Sequence, residues 1–335
     1  MLSSHAFTPS IGGIETVSAL LAEEFIRLGH EVVVVTQTPA GESAEQFSYR
    51  VLRQPSLGKL IGAIQRCDIF WQDNLSLRTI WPALLLSRPT VITHQGSYCR
   101  RPTGLDLVQR IKHLIVERTT SVAPSRAVAA CFRTKSTMIP NPYDARKFND
   151  LGIARERSGD LIFLGRLVSE KGIDVLLEAL GRLGAKDCTP QLTVVGSGPE
   201  MSSIEEIVTR LQLGDQVTFA GPKRGQELVD LLRAHKILVI PSRYDEPFGV
   251  VALEGIACGC VAIGSSGGGL PEAIGPCGVT FPNGDVAALA ETLDTLLRQP
   301  SERERLAANA PEHLAKFHPA AVAESYLTLF RSQRA

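Results

Sequence analysis

Two glutamates that stand eight residues apart flank a Pro-Phe-Gly turn, and their side chains suit a bound sugar. The apolar stretch 237–240 precedes them, so the pattern predicts a strand, a loop with Glu246, and a helix that begins at Gly249 and contains Glu254. Such a segment lies at the carboxyl edge of a parallel sheet, where open α/β sheets bind ligands. Carboxylates accept hydrogen bonds from hydroxyl groups, and the unpaired N–H groups at a helix start suit a phosphate.

A second segment has two cations at another predicted strand end. Residues 165–172 read Gly-Arg-Leu-Val-Ser-Glu-Lys-Gly, after the apolar stretch 161–164 and before a helical pattern. The planar guanidinium of Arg166 and the compact ammonium of Lys171 could together bind a diphosphate. Two glutamates alone are better explained as solvated acids, but the two segments together favour a site for a nucleotide sugar.

Further motifs follow in an order that is specific, although no single motif is. The matching segments are the glycine loop 7–15 and residues 139–144, 165–172, 194–199, 244–254 and 267–273. On these motifs the chain resembles the retaining glycosyltransferases of family four, and the resemblance covers nearly the whole chain. It implies the GT-B fold, in which two doubly wound Rossmann-like α/β domains face each other across a cleft.

The resemblance implies roles for single residues. Glycine has no Cβ, so the backbone of the glycine loop could approach the donor closely. Glu246 would hold the transferred sugar, and Glu254 the ribose. The residues predicted to bind the donor nucleotide are Gly12, Gly13, Arg166, Lys171, Phe248, Gly249, Val250 and Glu254. The residues predicted to act at the reaction centre are His94, Arg166, Lys171 and Glu246.

His94 admits two interpretations. It ends a predicted strand in the sequence Thr-His-Gln-Gly, and the resemblance would place it near the transferred sugar's 6-hydroxyl. It could equally be an ordinary structural histidine whose ring is hydrogen-bonded in the interior. The family context favours the functional role.

The expected reaction follows from the resemblance. Relatives show no nucleophilic carboxylate, and this sequence offers no carboxylate pair suited to double displacement, so a front-face substitution with retention is implied. No Asp-x-Asp motif occurs on a suitable loop, and we expect neither a metal nor another cofactor. Guanine-using relatives have a carboxylate where this chain has Gly-Pro-Lys-Arg-Gly at 221–225, which favours uracil. The expected donor is UDP-glucose, and the expected acceptor is a glycan or lipid-linked saccharide in polysaccharide or glycoconjugate biosynthesis.

Alternating strands and helices predict two domains. The N-terminal domain, 1–143, would form the acceptor side and be joined by the final helix, 318–335. The C-terminal domain, 144–317, would bind the donor. The first strand, residues 1–4, is shorter than usual in the family, so we expect a trimmed start or a weak edge.

Composition excludes some classes of protein. The formal charge of zero over 335 residues gives no electrostatic support for nucleic-acid binding. No apolar run reaches the about 18 residues of a membrane-spanning helix, and no signal peptide opens the chain. The seven scattered cysteines are expected to be reduced, which favours the cytoplasm.

Residues 97–135 form a basic segment with eight Lys or Arg and two Asp or Glu. An apolar stripe within it is predicted to face the core: Leu107, Val108, Ile111, Leu114 and Ile115. A solvated helix face is slightly favoured for the basic residues. Peripheral contact with the inner face of a membrane stays open as the alternative.

Two other functions fit the same fold. A sugar-nucleotide 2-epimerase would use a similar UDP pocket but would need acid and base groups around the second sugar carbon, where Glu246 is the clear candidate. A non-catalytic GT-B partner subunit is disfavoured, because the motif residues of both segments are present together.

Overall fold

The structure is a computed structural model that describes residues 1–10, 12–41, 46–96, 107–149, 157–184 and 187–333. The chain forms two compact units. The first comprises Met1–Asp144 and Phe317–Ala335, and the second comprises Ala145–Lys316. No helix among the described residues is long and apolar enough to cross a membrane.

The first unit contains a parallel sheet of seven strands. The strands are β1 (Leu2–Ser4), β2 (Val33–Thr36), β3 (Arg50–Arg53), β4 (Phe70–Asp73), β5 (Thr90–Thr93), β6 (Thr120–Ala123) and β7 (Thr137–Met138). Their order is β3-β2-β1-β4-β5-β6-β7, so the direction of winding reverses between β1 and β4. The helices are α1 (Gly13–Arg27), α2 (Leu57–Arg66), α3 (Leu77–Leu85), α4 (Leu107–Val116) and α5 (Arg126–Ala129).

The second unit contains a parallel sheet of six strands. The strands are β8 (Gly159–Leu164), β9 (Leu192–Val195), β10 (Val217–Gly221), β11 (His235–Ile240), β12 (Val261–Ser265) and β13 (Gly278–Phe281). Their order is β10-β9-β8-β11-β12-β13, which places the reversal between β8 and β11. The helices are α6 (Ile173–Gly184), α7 (Met201–Arg210), α8 (Gly225–Ala234), α9 (Val250–Ala257), α10 (Leu270–Ile274), α11 (Val286–Arg298), α12 (Pro300–Ala307) and α13 (Ala310–Ala315).

The last helix, α14 (Pro319–Ser332), packs on the first unit through an aromatic cluster. The Tyr326 ring lies 4.8 Å from Trp71, and its hydroxyl lies 2.8 Å from Thr93 Oγ1. Trp71 Nε1 donates to the same oxygen at 2.9 Å. Aromatic rings contribute large buried areas, and here their polar atoms are satisfied as well. The helix therefore fastens the end of the chain to the centre of the first sheet.

One prediction about local structure is wrong, one is wrong in most of its residues, and one strand was not predicted. The first strand is not a weak edge, because β1 pairs with both β2 and β4 and is fully buried. Strand β3 was not predicted, since its arginine-flanked sequence lacks a buried strand's apolar run. Most of the stripe on α4 does not face the core, because Leu107, Val108, Ile111 and Leu114 are 73%, 51%, 40% and 46% exposed. Its fifth residue, Ile115, does pack against the core of the first unit. Periodicity identifies a face of a helix but not the surface that covers it.

The described cysteines differ in oxidation state. Cys131 is disulfide-bonded, which corrects the expectation that all seven would be reduced, and Cys99 lies outside the described residues. The other five are free thiols: Cys67, Cys188, Cys258, Cys260 and Cys277.

Candidate active site

The predicted cations and carboxylates of the second unit meet where its sheet reverses. The loop after β8 contains Arg166 and Lys171, and the loop after β11 contains Glu246. Since β8 and β11 are neighbours in the sheet, their carboxyl ends open onto one crevice. Doubly wound sheets bind ligands at such a reversal.

Lys171 and Glu246 form an ion pair at this crevice. The Lys171 Nζ lies 2.6 Å from Glu246 Oε1, and their side chains are 28% and 8% exposed. Lys171 also donates to the Tyr244 hydroxyl at 3.3 Å and lies 5.2 Å from the centre of the Tyr244 ring. A pair so shielded from water interacts more strongly than one on the surface.

Two further side chains orient Glu246. Ser242 donates to Oε1 at 2.7 Å, and the Tyr244 hydroxyl donates to Oε2 at 2.5 Å. Burial raises the pKa of Tyr244 most. The negative charge of Glu246, which accepts a hydrogen bond from the Tyr244 hydroxyl, raises this pKa further. The phenol is therefore a hydrogen-bond donor to the carboxylate at every physiological pH.

The remaining hydrogen-bonding capacity of the pair suits a ligand. A carboxylate has about four lone-pair positions, and Lys171, Ser242 and Tyr244 occupy three on Glu246. An ammonium has three N–H donors, and Glu246 and Tyr244 accept two from Lys171. One acceptor on Glu246 and one donor on Lys171 are thus left. A sugar hydroxyl and a phosphate oxygen are the complementary groups.

Close backbone packing fixes the loops after β8 and β11 against each other. Gly172 adopts a left-handed conformation with φ of 66°, and a Cβ there would lie 2.0 Å from the Pro241 carbonyl oxygen. The Arg243 N–H donates to the Glu170 carbonyl at 2.9 Å. Only glycine allows this approach, and so the second glycine of the Gly-Arg-x4-Lys-Gly segment has a structural reason.

A third loop, after β12, holds the backbone of Glu246. The Gly269 N–H donates to the Glu246 carbonyl at 2.7 Å. Gly268 has φ of 69°, and a Cβ there would lie 2.2 Å from that same oxygen. The glycine-rich motif at 267–269 therefore fixes the position of the Glu246 backbone.

Helix α9 begins beside Glu246. Gly249 is its N-cap with φ of 103° and provides no side-chain cap, while Phe248 is buried. A Cβ on Gly249 would lie 2.3 Å from Leu270 Cδ1, so the turn depends on glycine for packing as well as conformation. The first turn of α9 contains Val250, and Glu254 lies half-buried one turn further. Arg166 is exposed in the loop after β8.

Gly12 and Gly13 lie at the start of α1, in the first unit. A Cβ on Gly12 would lie 2.5 Å from Glu15 Oε2, because the Glu15 side chain folds back over it. A Cβ on Gly13 would meet nothing within 4 Å. The Glu15 side chain is flexible and could move away from a larger residue at position 12, so the internal packing does not require either glycine. Open space beside Gly13 is compatible with a ligand there. Ile11 of this loop lies outside the described residues.

His94 is wholly buried at the end of β5. Its Nε2 lies 3.0 Å from Ser121 Oγ, and its ring stacks on Phe132 at 4.0 Å. Burial lowers the pKa of His94 to about 3, with a smaller contribution from His113. The imidazole is therefore neutral at physiological pH, so that it could act on a ligand through a hydrogen bond and not as a cation.

Asp73 is a buried carboxylate that none of the sequence motifs indicated. It ends β4, next to the reversal of the first sheet, and accepts from Ser18 Oγ at 2.6 Å. Burial raises the pKa of Asp73 to about 6. Hydrogen bonds from Ser18 and Gln95 partly oppose this rise, and repulsion from the Glu15 charge adds a little to it. Within the part of the chain that the structure describes, no three His, Cys, Asp or Glu side chains group so as to hold a metal ion.

Comparison with known proteins identifies the family. The sequence profile "Glycosyl transferases group 1" matches residues 147–313, and "Glycosyltransferase Family 4" matches residues 11–147. The chain belongs to glycosyltransferase family 4. This family 4 glycosyltransferase thus has a family profile on each of its two units, which confirms the family predicted from the motifs.

Curated relatives match about half of this chain. D-inositol 3-phosphate glycosyltransferase of Frankia alni is 39% identical over 188 residues, which are 52% of this chain and 46% of the relative. Glycogen synthase of Mycobacterium tuberculosis is 33% identical over 207 residues, which are 59% of this chain and 50% of the relative. The chain spans about half the length of the curated relatives it matches.

Solved structures match over the full length. Anabaena HepE in complex with UDP has a TM-score of 0.81 at 20% identity, with 99% of both chains covered. The glycosyltransferase of Rickettsia africae has a TM-score of 0.80 at 16% identity, with 99% of this chain and 98% of that one covered. These similarities confirm the predicted GT-B fold.

The Lys171–Glu246 pair should contribute to stability as a coupled unit. A double-mutant cycle of Lys171→Met and Glu246→Gln in urea unfolding is expected to give a coupling energy of about 1–2 kcal/mol, because removal of one partner leaves the other charge shielded and unpaired. The exposed Arg210–Glu178 pair, at 2.5 Å, provides the matched control. Its coupling should stay below about 1 kcal/mol. Equal coupling energies would contradict the shielding that the structure shows.

His94 should make the fold sensitive to mild acid. The folded-state pKa of about 3 lies below the ordinary 6.5, so the unfolded chain binds the proton first as pH falls. This contribution to stability is present above pH 6.5 and is lost below it, by about 2 kcal/mol between pH 7 and pH 5. His94→Gln should remove that part of the pH dependence, measured as the difference from wild type in urea unfolding. A variant with the wild-type slope would show that the ring protonates without cost.

Proposed function

We propose that this protein transfers a hexose from a nucleoside diphosphate sugar to a saccharide acceptor with retention of anomeric configuration. The observation that supports this function best is the Lys171–Glu246 pair, which has one N–H donor and one acceptor position left at the reversal of the second sheet. The donor would bind a phosphate oxygen and the acceptor a hydroxyl of the transferred sugar. Because Lys171, Ser242 and Tyr244 already bind the Glu246 carboxylate, it can accept a hydrogen bond from one sugar hydroxyl.

The chemistry then rests on electrostatic stabilisation. As the bond between the anomeric carbon and the phosphate oxygen breaks, negative charge grows on the diphosphate. Lys171, Arg166 and the N–H groups at the start of α9 stabilise that charge, and their positions are set before the reaction begins. The departing diphosphate oxygen takes the proton of the acceptor hydroxyl on the same face of the sugar. In this proposal, Gly12, Gly13, Phe248, Gly249, Val250 and Glu254 hold the nucleotide.

UDP-glucose is the donor that we propose. HepE, which shares the fold, has been solved with UDP and glucose and with UDP-glucose. Residues 221–225 after β10 contain no carboxylate, whereas the N–H groups of guanine favour one. Glu254 would accept from the ribose hydroxyls. His94, neutral and hydrogen-bonded to Ser121, would act by shaping the site next to the transferred sugar.

The proposal is tested with UDP-glucose and a panel of neutral and anionic saccharides. Free UDP should be released, and the product should keep the α configuration. Arg166→Ala and Lys171→Ala should each lower turnover at least about a hundredfold, the range for loss of a donor at a developing charge. Arg210→Ala changes an exposed arginine on α7 and should leave turnover near wild type. Normal turnover in both Arg166→Ala and Lys171→Ala would contradict the assignment of these residues to the diphosphate site.

The same experiment separates the two alternatives. A 2-epimerase would change the configuration at the second sugar carbon without net release of UDP. A non-catalytic subunit would bind UDP-glucose without turning it over. Two observations favour transfer over these alternatives: glycosyltransferase relatives match in sequence, and the Lys171–Glu246 pair is intact.

Peripheral contact with an anionic membrane is proposed as a second property. The exposed side chains Leu107, Val108, Ile111 and Leu114 form one face of α4. Arg110 and Arg118 are exposed near this face, and residues 107–135 contain six Lys or Arg and one Glu. An apolar face bordered by basic residues is the pattern of a helix that lies in a membrane interface. Residues 97–106 of the basic segment lie outside the described residues.

Vesicle flotation tests this contact. The protein should float with phosphatidylglycerol vesicles and much less with phosphatidylcholine vesicles, since basic residues near an anionic surface each contribute about 1 kcal/mol. Ile111→Ser with Leu114→Ser should reduce the floated fraction several-fold. Leu85→Ser changes an exposed leucine on α3, 75% exposed, and should not. Equal loss in both variants would contradict a specific role for α4.

A further inference from the structure

A cavity of about 350 Å3 opens within the first unit, away from the residues assigned above. It lies at the carboxyl ends of β2 and β3 and at the starts of α2 and α3. Its polar lining comes from Gln37, Gln54, Arg78 and Thr79, and Leu57 and Leu60 are part of its apolar wall. The volume is within the range of about 300–1,000 Å3 that small-molecule sites have. The position is again the ligand-binding edge of a doubly wound sheet.

Arg78 gives the cavity an anion-binding group. Its side chain is exposed, and its Nη1 donates to Gln37 Oε1 at 3.4 Å, which is a long hydrogen bond. A guanidinium has five N–H donors in a rigid fork whose geometry matches a carboxylate or a phosphate. The fork of Arg78 therefore has donors to spare for an anionic group in the cavity.

The backbone and the local charge act in the same direction. Helices α2 and α3 both begin at the cavity, and neither N-cap serine, Ser56 or Ser76, bonds to its helix through the side chain. Their positive dipole ends favour an anion. Of the described residues that line the cavity, Arg78 alone has a charged side chain, so the charge of the lining is positive.

The rest of the lining suits a sugar. Gln54 Nε2 donates to the backbone carbonyl of Gln37 at 3.1 Å, which holds the Gln54 amide side chain against the loop after β2. Gln54 has a left-handed backbone with φ of 44°, and its N–H donates to the Thr36 carbonyl at 2.8 Å. Amides both donate to and accept from hydroxyl groups. Leu57, which is 50% exposed, offers an apolar surface for the C–H face of a ring.

We propose that this cavity binds the acceptor, and that the acceptor is a saccharide with an anionic group, either a phosphate or a carboxylate, bound by Arg78. This inference rests on the proposed transferase function, because it assigns the second substrate of that reaction. It adds a class of acceptor that the motifs of the second unit do not specify. Gln37 and Gln54 orient the hydroxyls of the same sugar.

The test compares three probes: glucose, glucose 6-phosphate and glucuronate. Affinities are measured by ligand-observed NMR with UDP at saturation, so that the phosphate-binding residues of the second unit are occupied. At least one anionic sugar should bind about tenfold or more tighter than glucose, as expected for a charged hydrogen bond, and this preference should shrink with added salt. The better anionic probe identifies the group as phosphate or carboxylate.

Arg78→Ala should abolish the preference for the anionic sugar. Arg66→Ala is the matched control, because Arg66 is an exposed arginine at the far end of α2 that does not line the cavity. It should keep the preference. Equal affinities for all three sugars in the wild type, an unchanged preference in Arg78→Ala, or equal losses in both variants would overturn the proposal.

Binding of UDP in the same samples keeps the two hypotheses apart. UDP affinity reports on the proposed nucleotide-binding residues, none of which lines the cavity, and should be the same in the wild type and in both arginine variants. Failure of the wild type to bind UDP would count against the proposed transferase. A loss of the anion preference in Arg78→Ala with UDP affinity unchanged would support the cavity by itself.

Discussion

The ion pair between Lys171 and Glu246 is the interaction on which the second unit's site depends. It joins the loops that follow β8 and β11, the two strands between which the sheet reverses. Both charges are shielded, and each is bound by further side chains, so the pair has a fixed geometry without a ligand. An arrangement set before binding does not have to be assembled at the cost of binding energy. Ser242 and Tyr244 are therefore as much a part of the site as the two residues that the motifs single out.

Glycines make that arrangement compact. Gly172 and Gly268 bring backbone atoms to distances that a side chain would prevent, and both have left-handed conformations. Their effect is to stack the loops after β8, β11 and β12 upon one another. The loop after β12 hydrogen-bonds the backbone of Glu246, and Lys171 in the loop after β8 binds its carboxylate. The Glu246 side chain therefore has little freedom to rotate. Rigid support of this kind is what precise recognition of a sugar requires.

The first unit presents a different chemistry. Its polar groups near the sheet reversal, His94 and Asp73, are buried and have pKa values that favour their neutral forms more than usual. A separate open cavity is lined by Arg78 and two glutamines. The ion pair of the second unit and the anion-binding cavity proposed for the first would serve two substrates of different character. The exposed apolar face of α4 is the surface proposed above to contact a membrane.

The sequence by itself determined the class of fold, the family and the strand-to-helix segments that contain Arg166, Lys171 and Glu246. Strand and helix periods are local, and the motifs include glycines whose conformations few other residues adopt. Tertiary structure decided which side chains meet. Nothing in the spacing shows that Ser242 and Tyr244 donate to Glu246, that α4 turns its leucines outward, or that Gln37, Gln54 and Arg78 line one cavity. Those contacts join residues far apart in the chain or depend on side-chain direction, and both are set only when the sheets and helices pack.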